Sequence, residues 1–350
     1  MTELIEALMT YTYNSTLTTD PKHSTLNSQL SLNSKLTTLN SIYIHFPFCK
    51  SRCIYCDFYS TTLGQDTMAS YIEALEREMS LRRQYIKGTR VHTIYIGGGT
   101  PSLLPSHLLR ELFDAILHEF SLDEDAEVTI EANPDDVTPD WLRGLEGKPV
   151  NRISMGAQTF DDKLLNLLRR RHKAQQVRDA VRLCKEAGIG NISLDLIYGL
   201  PGQTMDDWQS DVEQALSLGI KHLSAYALSI EPGTPLDSSP YKGELEGVHY
   251  EELSRRMYDH LMSATDKAGF LHYEISNFAL PGFHSRHNSS YWQSTPYLGL
   301  GAGAHSYDGH RSRRANLPDI RAYIAAKGDV PHETETLSTC PLYPIPLELL

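Results

Sequence analysis

From residue 41 onward, short apolar runs bounded by glycine, proline and polar clusters alternate with longer stretches of helical period. The apolar runs predict strands at 42–46, 91–96, 127–131, 152–156, 192–198 and 223–229. Spacing of three and four between them predicts helices near 68–83, 106–120, 139–145, 163–168 with 175–187, and 205–218. Six strand–helix units in series predict an α/β fold, a parallel sheet with right-handed crossovers in the form of a partial (β/α)6 TIM-like barrel. Several strands end in glycine or polar clusters: Gly97-Gly98-Gly99-Thr100, Glu131-Ala132-Asn133-Pro134, Gly156-Ala157-Gln158 and Gly199-Leu200-Pro201-Gly202. In a parallel barrel such ends share one face, and that face carries the active site.

The pattern changes at both ends of this core, taken as 41–232. Residues 1–40 are rich in Ser, Thr, Asn and Leu, contain no Gly, and read as a flexible extension. The segment 233–336 reads as a C-terminal extension of the core, with a helix near 249–268, a hairpin around 272–278 and a glycine-rich stretch from Tyr297 to Ser306. Residues 337–350 are irregular and proline-rich, and are expected to be a non-native tail.

Composition narrows the classes. The chain has 350 residues, 40% of them hydrophobic, and no apolar stretch long enough to span a bilayer. Glu3 and Glu6 near the N-terminus, with no basic n-region, argue against a secretory signal. Five cysteines are an odd number and three are clustered, so a reducing, cytoplasmic location fits better than a disulfide framework. A formal charge of −12 argues against a nucleic-acid partner. The one basic run, from Arg169 to Lys173, reads by itself as a solvated helix end.

The chemistry is concentrated at Cys49-Lys50-Ser51-Arg52-Cys53-Ile54-Tyr55-Cys56. Structural zinc needs a fourth ligand, and the nearest histidine, His45, precedes the loop on a strand. Inert packed thiols fit poorly with Lys50, Ser51 and Arg52 between them. A four-iron cluster held by three thiolates, with one iron open, is the reading favoured here. Triple glycine after a strand is either a tight turn or a place of close backbone approach to a ligand. Glu131, Gln158, Arg170 and Asp195 each stand at or beyond the end of an apolar run, where capping or strand-end solvation is the ordinary explanation for any one alone. Tyr43 and Tyr55 flank the cysteines and could simply pack the loop. His287-Asn288-Ser289-Ser290-Tyr291-Trp292 contains what reads in isolation as a surface histidine, and Cys184 reads as a core thiol.

The segment from Tyr43 to Cys56 resembles the cluster loop of the radical S-adenosylmethionine superfamily. Within it the chain is similar to the oxygen-independent coproporphyrinogen III oxidase branch, and within that branch to the HemW haem-chaperone group, over residues 41 to 336. The resemblance implies a [4Fe-4S] cluster on Cys49, Cys53 and Cys56. The methionine group of S-adenosylmethionine would chelate its open iron, and an electron from the cluster would break the sulfonium bond to give a 5′-deoxyadenosyl radical. It assigns Gly98, Gly99, Thr100, Glu131, Gln158, Arg170 and Asp195 to S-adenosylmethionine, with Tyr43 near its carboxylate and Tyr55 against its adenine. Arg170 suits a carboxylate in a bidentate pair. It makes His287 a candidate axial haem ligand, with His305 a second, weaker one. Position 169, often Gly in relatives, is Arg here.

Two functions follow from the resemblance. One is a haem chaperone that carries haem to a client protein; the other is a porphyrinogen oxidase that decarboxylates propionate side chains. Oxidases of this branch carry a fourth cysteine two residues after the third, where this chain has Phe58, and that departure favours the chaperone. Haem or porphyrinogen, a client protein and an electron donor are the expected partners. Relatives continue into a small C-terminal domain, so the extension is expected to be truncated.

Overall fold

The computed structural model describes residues 40–86 and 90–336. The expectations for 1–39 and 337–350, including Cys340, fall outside the described residues. Six parallel strands form the centre: β1 Ser41–Phe46, β2 Arg90–Gly98, β3 Ser121–Ala132, β4 Arg152–Gln158, β5 Asn191–Tyr198 and β6 His222–Ala227. They alternate with helices α1 Gln65–Arg82, α2 Ser106–Glu119, α3 Pro139–Leu145, α4 Asp162–Leu167, α5 Ala174–Glu186 and α6 Met205–Ser217. Each strand pairs in parallel with the next in chain order, as six strand–helix units require.

Strict alternation along these strands separates two chemistries. Ile42, Ile44, Ile94, Ile96, Val128, Ile130, Ile153, Met155, Ile192 and Leu194 are buried in one core with the apolar faces of the helices. On α5 that face is Val177, Ala180, Val181 and Cys184, a three-to-four spacing that buries the thiol as expected. The intervening positions, Tyr43, His45, Thr93, Tyr95, Thr129, Glu131, Arg152, Ser154, Ser193 and Asp195, point to the other face, and nearly all are polar. A polar face on a buried parallel sheet costs stability unless it is hydrogen-bonded or used, so this face holds the chemistry.

The sheet is open, as a partial barrel is. Beyond β6 lie β8 Asn277–Ala279 and β7 Leu271–Glu274, the expected hairpin, following helix α7 Val248–Lys267. Beyond β1 lie β9 Tyr297–Leu300, β10 His305–Tyr307, β11 Ser312–Asn316 and β12 His332–Thr336, with helix α8 Arg286–Trp292 before them and α9 Ile320–Ala325 between the last two. The glycine-rich stretch therefore forms two strands, and β9 pairs in parallel with β1. Glycine is required at 299, because a Cβ there would stand 1.8 Å from the His305 carbonyl oxygen.

A buried polar knot fastens this edge to α1. Glu78 accepts from Arg82 (2.7 Å), the Asn316 amide (2.8 Å), the Gly301 N–H (2.9 Å) and the Tyr323 hydroxyl (2.6 Å). Arg82 also donates to the Gly299 carbonyl and to Ser306 Oγ, both at 2.8 Å. Every oxygen of a buried carboxylate is thus occupied, the condition under which burying a charge is tolerated.

Candidate cluster and cofactor site

The cysteine loop leaves β1 through Pro47 and is closed at its neck by two backbone bonds, Cys49 N–H to Thr61 O (2.8 Å) and Thr61 N–H to Pro47 O (2.6 Å). Cys49, Cys53 and Cys56 are half-buried free thiols. Burial pushes the Cys49 thiol up and the Cys56 thiol up to about 12. Among the described residues the one set of three metal-type ligands within 4.8 Å is His92, Asp123 and Asp125, so the three sulfurs are spread wider than a single ion would draw them. Arg90 and Arg286 already contact Asp123 and Asp125. His45 is no fourth ligand. Its Nε2 faces the Tyr59 carbonyl (3.0 Å) and must donate to it, and its Nδ1 accepts from the Tyr43 hydroxyl (2.9 Å). Three thiols in one loop, with no fourth ligand beside them among the described residues, fit a cluster with one open iron better than structural zinc.

The glycine loop is zipped to the cysteine loop. Gly99 N–H donates to Phe46 O (2.9 Å) and Thr100 N–H to Phe48 O (2.8 Å). A Cβ on Gly99 would stand 2.7 Å from both carbonyl oxygens, so only glycine permits this approach. Thr100 Oγ1 then lies 3.5 Å from Cys49 Sγ. Beside it, Glu131 accepts from the Gly98 N–H (3.0 Å) and from the Tyr95 hydroxyl (2.7 Å). Burial raises its carboxyl to about 7 against the pull of the Tyr95 bond.

The next two strands complete the set. Asp195 is opposite Gly156 in the β4–β5 register and accepts from Ser154 Oγ at 3.4 Å; burial raises its carboxyl to about 6, opposed by the Arg152 charge. Gln158 ends β4 at a register shift, with φ of +66°, a left-handed backbone in a residue other than glycine. Arg170 reaches back over this edge: it donates to the Gly156 carbonyl (2.7 Å), the Asn133 side-chain oxygen and Cys53 Sγ (3.4 Å). Its Nε is buried with no partner among the described residues. Tyr55 packs on a second apolar cluster that includes Ile54, Leu168 and Ile197. Arg169 has φ of +58°, which accounts for the glycine that the resemblance leads one to expect there.

Thr100 and Arg170 thus reach cysteine sulfurs directly, Gly98 and Gly99 are bonded to Glu131 and to the cysteine loop, and Tyr43, Gln158 and Asp195 stand on β1, β4 and β5. His287 packs against the same strands, its ring centroid 6.5 Å from that of Tyr43. It begins α8, whose first amides are capped by Glu127: Arg286 N–H and His287 N–H each donate to it at 3.0 Å. The ring is 1% exposed and stacks 5.2 Å from Tyr95. His287 Nδ1 meets Thr93 Oγ1 (2.8 Å), Thr93 donates to Ser41 Oγ (2.9 Å), Ser41 to Ser290 Oγ (3.4 Å), and Ser290 to the His287 carbonyl (2.7 Å). A carbonyl only accepts, so every proton in this ring is directed towards it and Nδ1 must donate. Nε2 then accepts from the Tyr291 hydroxyl at 2.9 Å. His305 lies elsewhere, half-buried on β10. Asn133, Tyr95 and Ser154 were quoted or passed over without a role in the sequence, yet they hold Arg170, Glu131 and Asp195.

Comparison with known proteins gives the family. The model of the Radical SAM superfamily matches residues 43–215. Heme chaperone HemW of Lactococcus lactis is 42% identical over 287 residues, 82% of this chain and 74% of that protein. The chain belongs to the HemW family. Heme chaperone HemW of Bacillus subtilis is 40% identical to this HemW-family chain, over 86% of it and 80% of the relative. Among solved structures, coproporphyrinogen III oxidase (HemN) of Escherichia coli, described as a Radical SAM enzyme, superposes with a TM-score of 0.74 over 86% of this chain and 72% of that one, at 22% identity. That likeness shows that the HemW-family chain has the same fold. Phe58, two residues after Cys56, is 53% exposed.

Proposed function

We propose that this chain is a radical S-adenosylmethionine-type haem chaperone, which binds haem and passes it to a client protein. The observation that carries the reading is its identity of 42% and 40% with proteins named as haem chaperones. Phe58 supports it, because a side chain with no proton, charge or metal-binding atom stands where the oxidases have a cysteine.

When bound, the cluster and S-adenosylmethionine supply reductive cleavage of a sulfonium bond. The chain's own residues bind and orient. Cys49, Cys53 and Cys56 hold the iron, and the donors Thr100 and Arg170 stabilise thiolate charge at Cys49 and Cys53. Gly98 and Gly99 would let backbone approach the amino end, and Arg170 would take the carboxylate. Glu131, Gln158 and Asp195 would hydrogen-bond amino, ribose or adenine groups of S-adenosylmethionine, and the resemblance puts Tyr43 near its carboxylate and Tyr55 against its adenine. His287 was the candidate haem ligand. Its lone pair on Nε2 is already engaged by Tyr291, so we assign it instead to the sheet's polar floor. A haem client, an electron donor and a reducing cytoplasmic setting for three free thiols belong to the same reading. No helix among the described residues is long and apolar enough to cross a membrane.

The test is to reconstitute the cluster without oxygen, titrate haem, and separately supply coproporphyrinogen III, S-adenosylmethionine and reductant. A saturable Soret band with no protoporphyrinogen is expected. Protoporphyrinogen formation would replace the chaperone with the oxidase.

A further inference from the structure

Two adjacent arginines beside the cluster loop have opposite environments. Arg171 is paired with Asp135 (2.9 Å) and Asp136 (2.6 Å). Arg170 makes no ion pair with a carboxylate among the described residues, although both aspartates are near. Its acceptors are the neutral Gly156 carbonyl and the neutral side-chain oxygen of Asn133, with Cys53 Sγ on the other arm.

The orientation of Asn133 is not free. Its amide nitrogen donates to Asp135, which accepts only, so its oxygen must be the atom that faces Arg170. Its backbone N–H donates to Ser102 Oγ (3.0 Å), and that hydroxyl donates to Asp136 (3.0 Å). The two aspartates therefore consume Arg171, Ser102 and the Asn133 amide nitrogen. What they present to Arg170 is an uncharged oxygen.

We propose that Asn133 is a positioning residue: a neutral acceptor that aims the Arg170 guanidinium, so that no carboxylate of the protein competes with that of S-adenosylmethionine for it. The proposal rests on the reading that this site takes S-adenosylmethionine. An aspartate at 133 would keep the size and the bond to Arg170 while losing the one to Asp135, and would compete with the cofactor carboxylate for the same cation.

The experiment measures dissociation constants on anaerobically reconstituted protein by equilibrium dialysis, for S-adenosylmethionine and for its decarboxylated analogue. Asn133→Asp is expected to weaken S-adenosylmethionine binding by about tenfold or more and Asn133→Ala by about threefold, the scale of a competing carboxylate against that of one lost hydrogen bond. With the decarboxylated analogue the two variants should bind alike. Equal S-adenosylmethionine affinity in both variants, or a deficit of Asn133→Asp that persists with the analogue, overturns the proposal. Should the variants at 133 not fold, Ser102→Ala loosens the same amide from behind. It should weaken S-adenosylmethionine by about twofold or more and leave the analogue unaffected, and no change for either ligand overturns the proposal. A wild type that binds neither ligand removes the reading of the site itself, a different failure from wild-type binding with indifferent variants.

Discussion

Replacing His287 by alanine should cost the fold dearly. The closed ring of His287, Thr93, Ser41 and Ser290 loses the donor that drives it, and Thr93 keeps only its bond to Ser41. The Tyr291 hydroxyl loses its acceptor inside a buried site. An orphaned buried hydroxyl costs roughly 1–3 kcal/mol, and a broken link in the ring about another 1 kcal/mol. The space left beneath Tyr95 adds a cavity contribution of about 1 kcal/mol. The sum is about 3–5 kcal/mol, or a fall in Tm on the order of 4–7 °C for a chain of this size. His287→Asn, which keeps a donor and an acceptor on a smaller side chain, should recover part of it. Thermal unfolding by circular dichroism, with a haem titration well below each midpoint, checks the reasoning. The Soret band of the folded variants is expected to match wild type. A variant that melts within about 2 °C of wild type yet loses the band would refute the floor role and restore His287 as the ligand.

Other perturbations follow from the same contacts. The Glu131 carboxyl, raised by burial to about 7, holds its proton more tightly folded than unfolded, so its contribution to stability is present below its ordinary value of 4.5 and is lost as pH rises through about 7. Cofactor binding, which uses the ionised acceptor, should strengthen over that same rise, and dialysis across about pH 6 to 8 should show the trend in wild type but not in Glu131→Gln. Arg169→Gly relieves a left-handed backbone and should stabilise by about 0.5–1 kcal/mol in chemical denaturation; a loss of stability would mean that Arg169 makes a compensating contact. Glu78→Ala leaves Arg82 as an unpaired buried charge and should destabilise by about 3–5 kcal/mol, whereas a cost under about 1 kcal/mol would show that the edge strands dock without the knot.

The six central strands were legible because their residues alternate between a helix-packed apolar face and a polar one, and the helices because three-to-four spacing buries one side. Strand β9 was not legible. Gly299 and Gly301 interrupt its apolar pattern, and its parallel partner β1 lies at the other end of the core, so only the register Ser41 to Tyr297 reveals it. Helix α8 spans under two turns, too short for a period to show, and is fixed by Glu127 from a distant strand. At the site, the cysteines stand out through spacing alone. Asn133, Tyr95 and Ser154 do not, because an inward polar residue on a strand looks in sequence like a solvated one. Pairing of β2 with β3 sets Tyr95 near Glu131, and the turn after β3 sets Asn133 against an arginine from three elements later.

The most direct test of the central claim is electron paramagnetic resonance of the anaerobically reconstituted, reduced protein before and after S-adenosylmethionine is added, with iron and sulfide counted on the same sample. The account predicts about four irons and four sulfides per chain and a signal that shifts with the cofactor, both lost in Cys53→Ala. A signal indifferent to S-adenosylmethionine, or a single tightly held metal ion per chain, would contradict an open iron held by Cys49, Cys53 and Cys56.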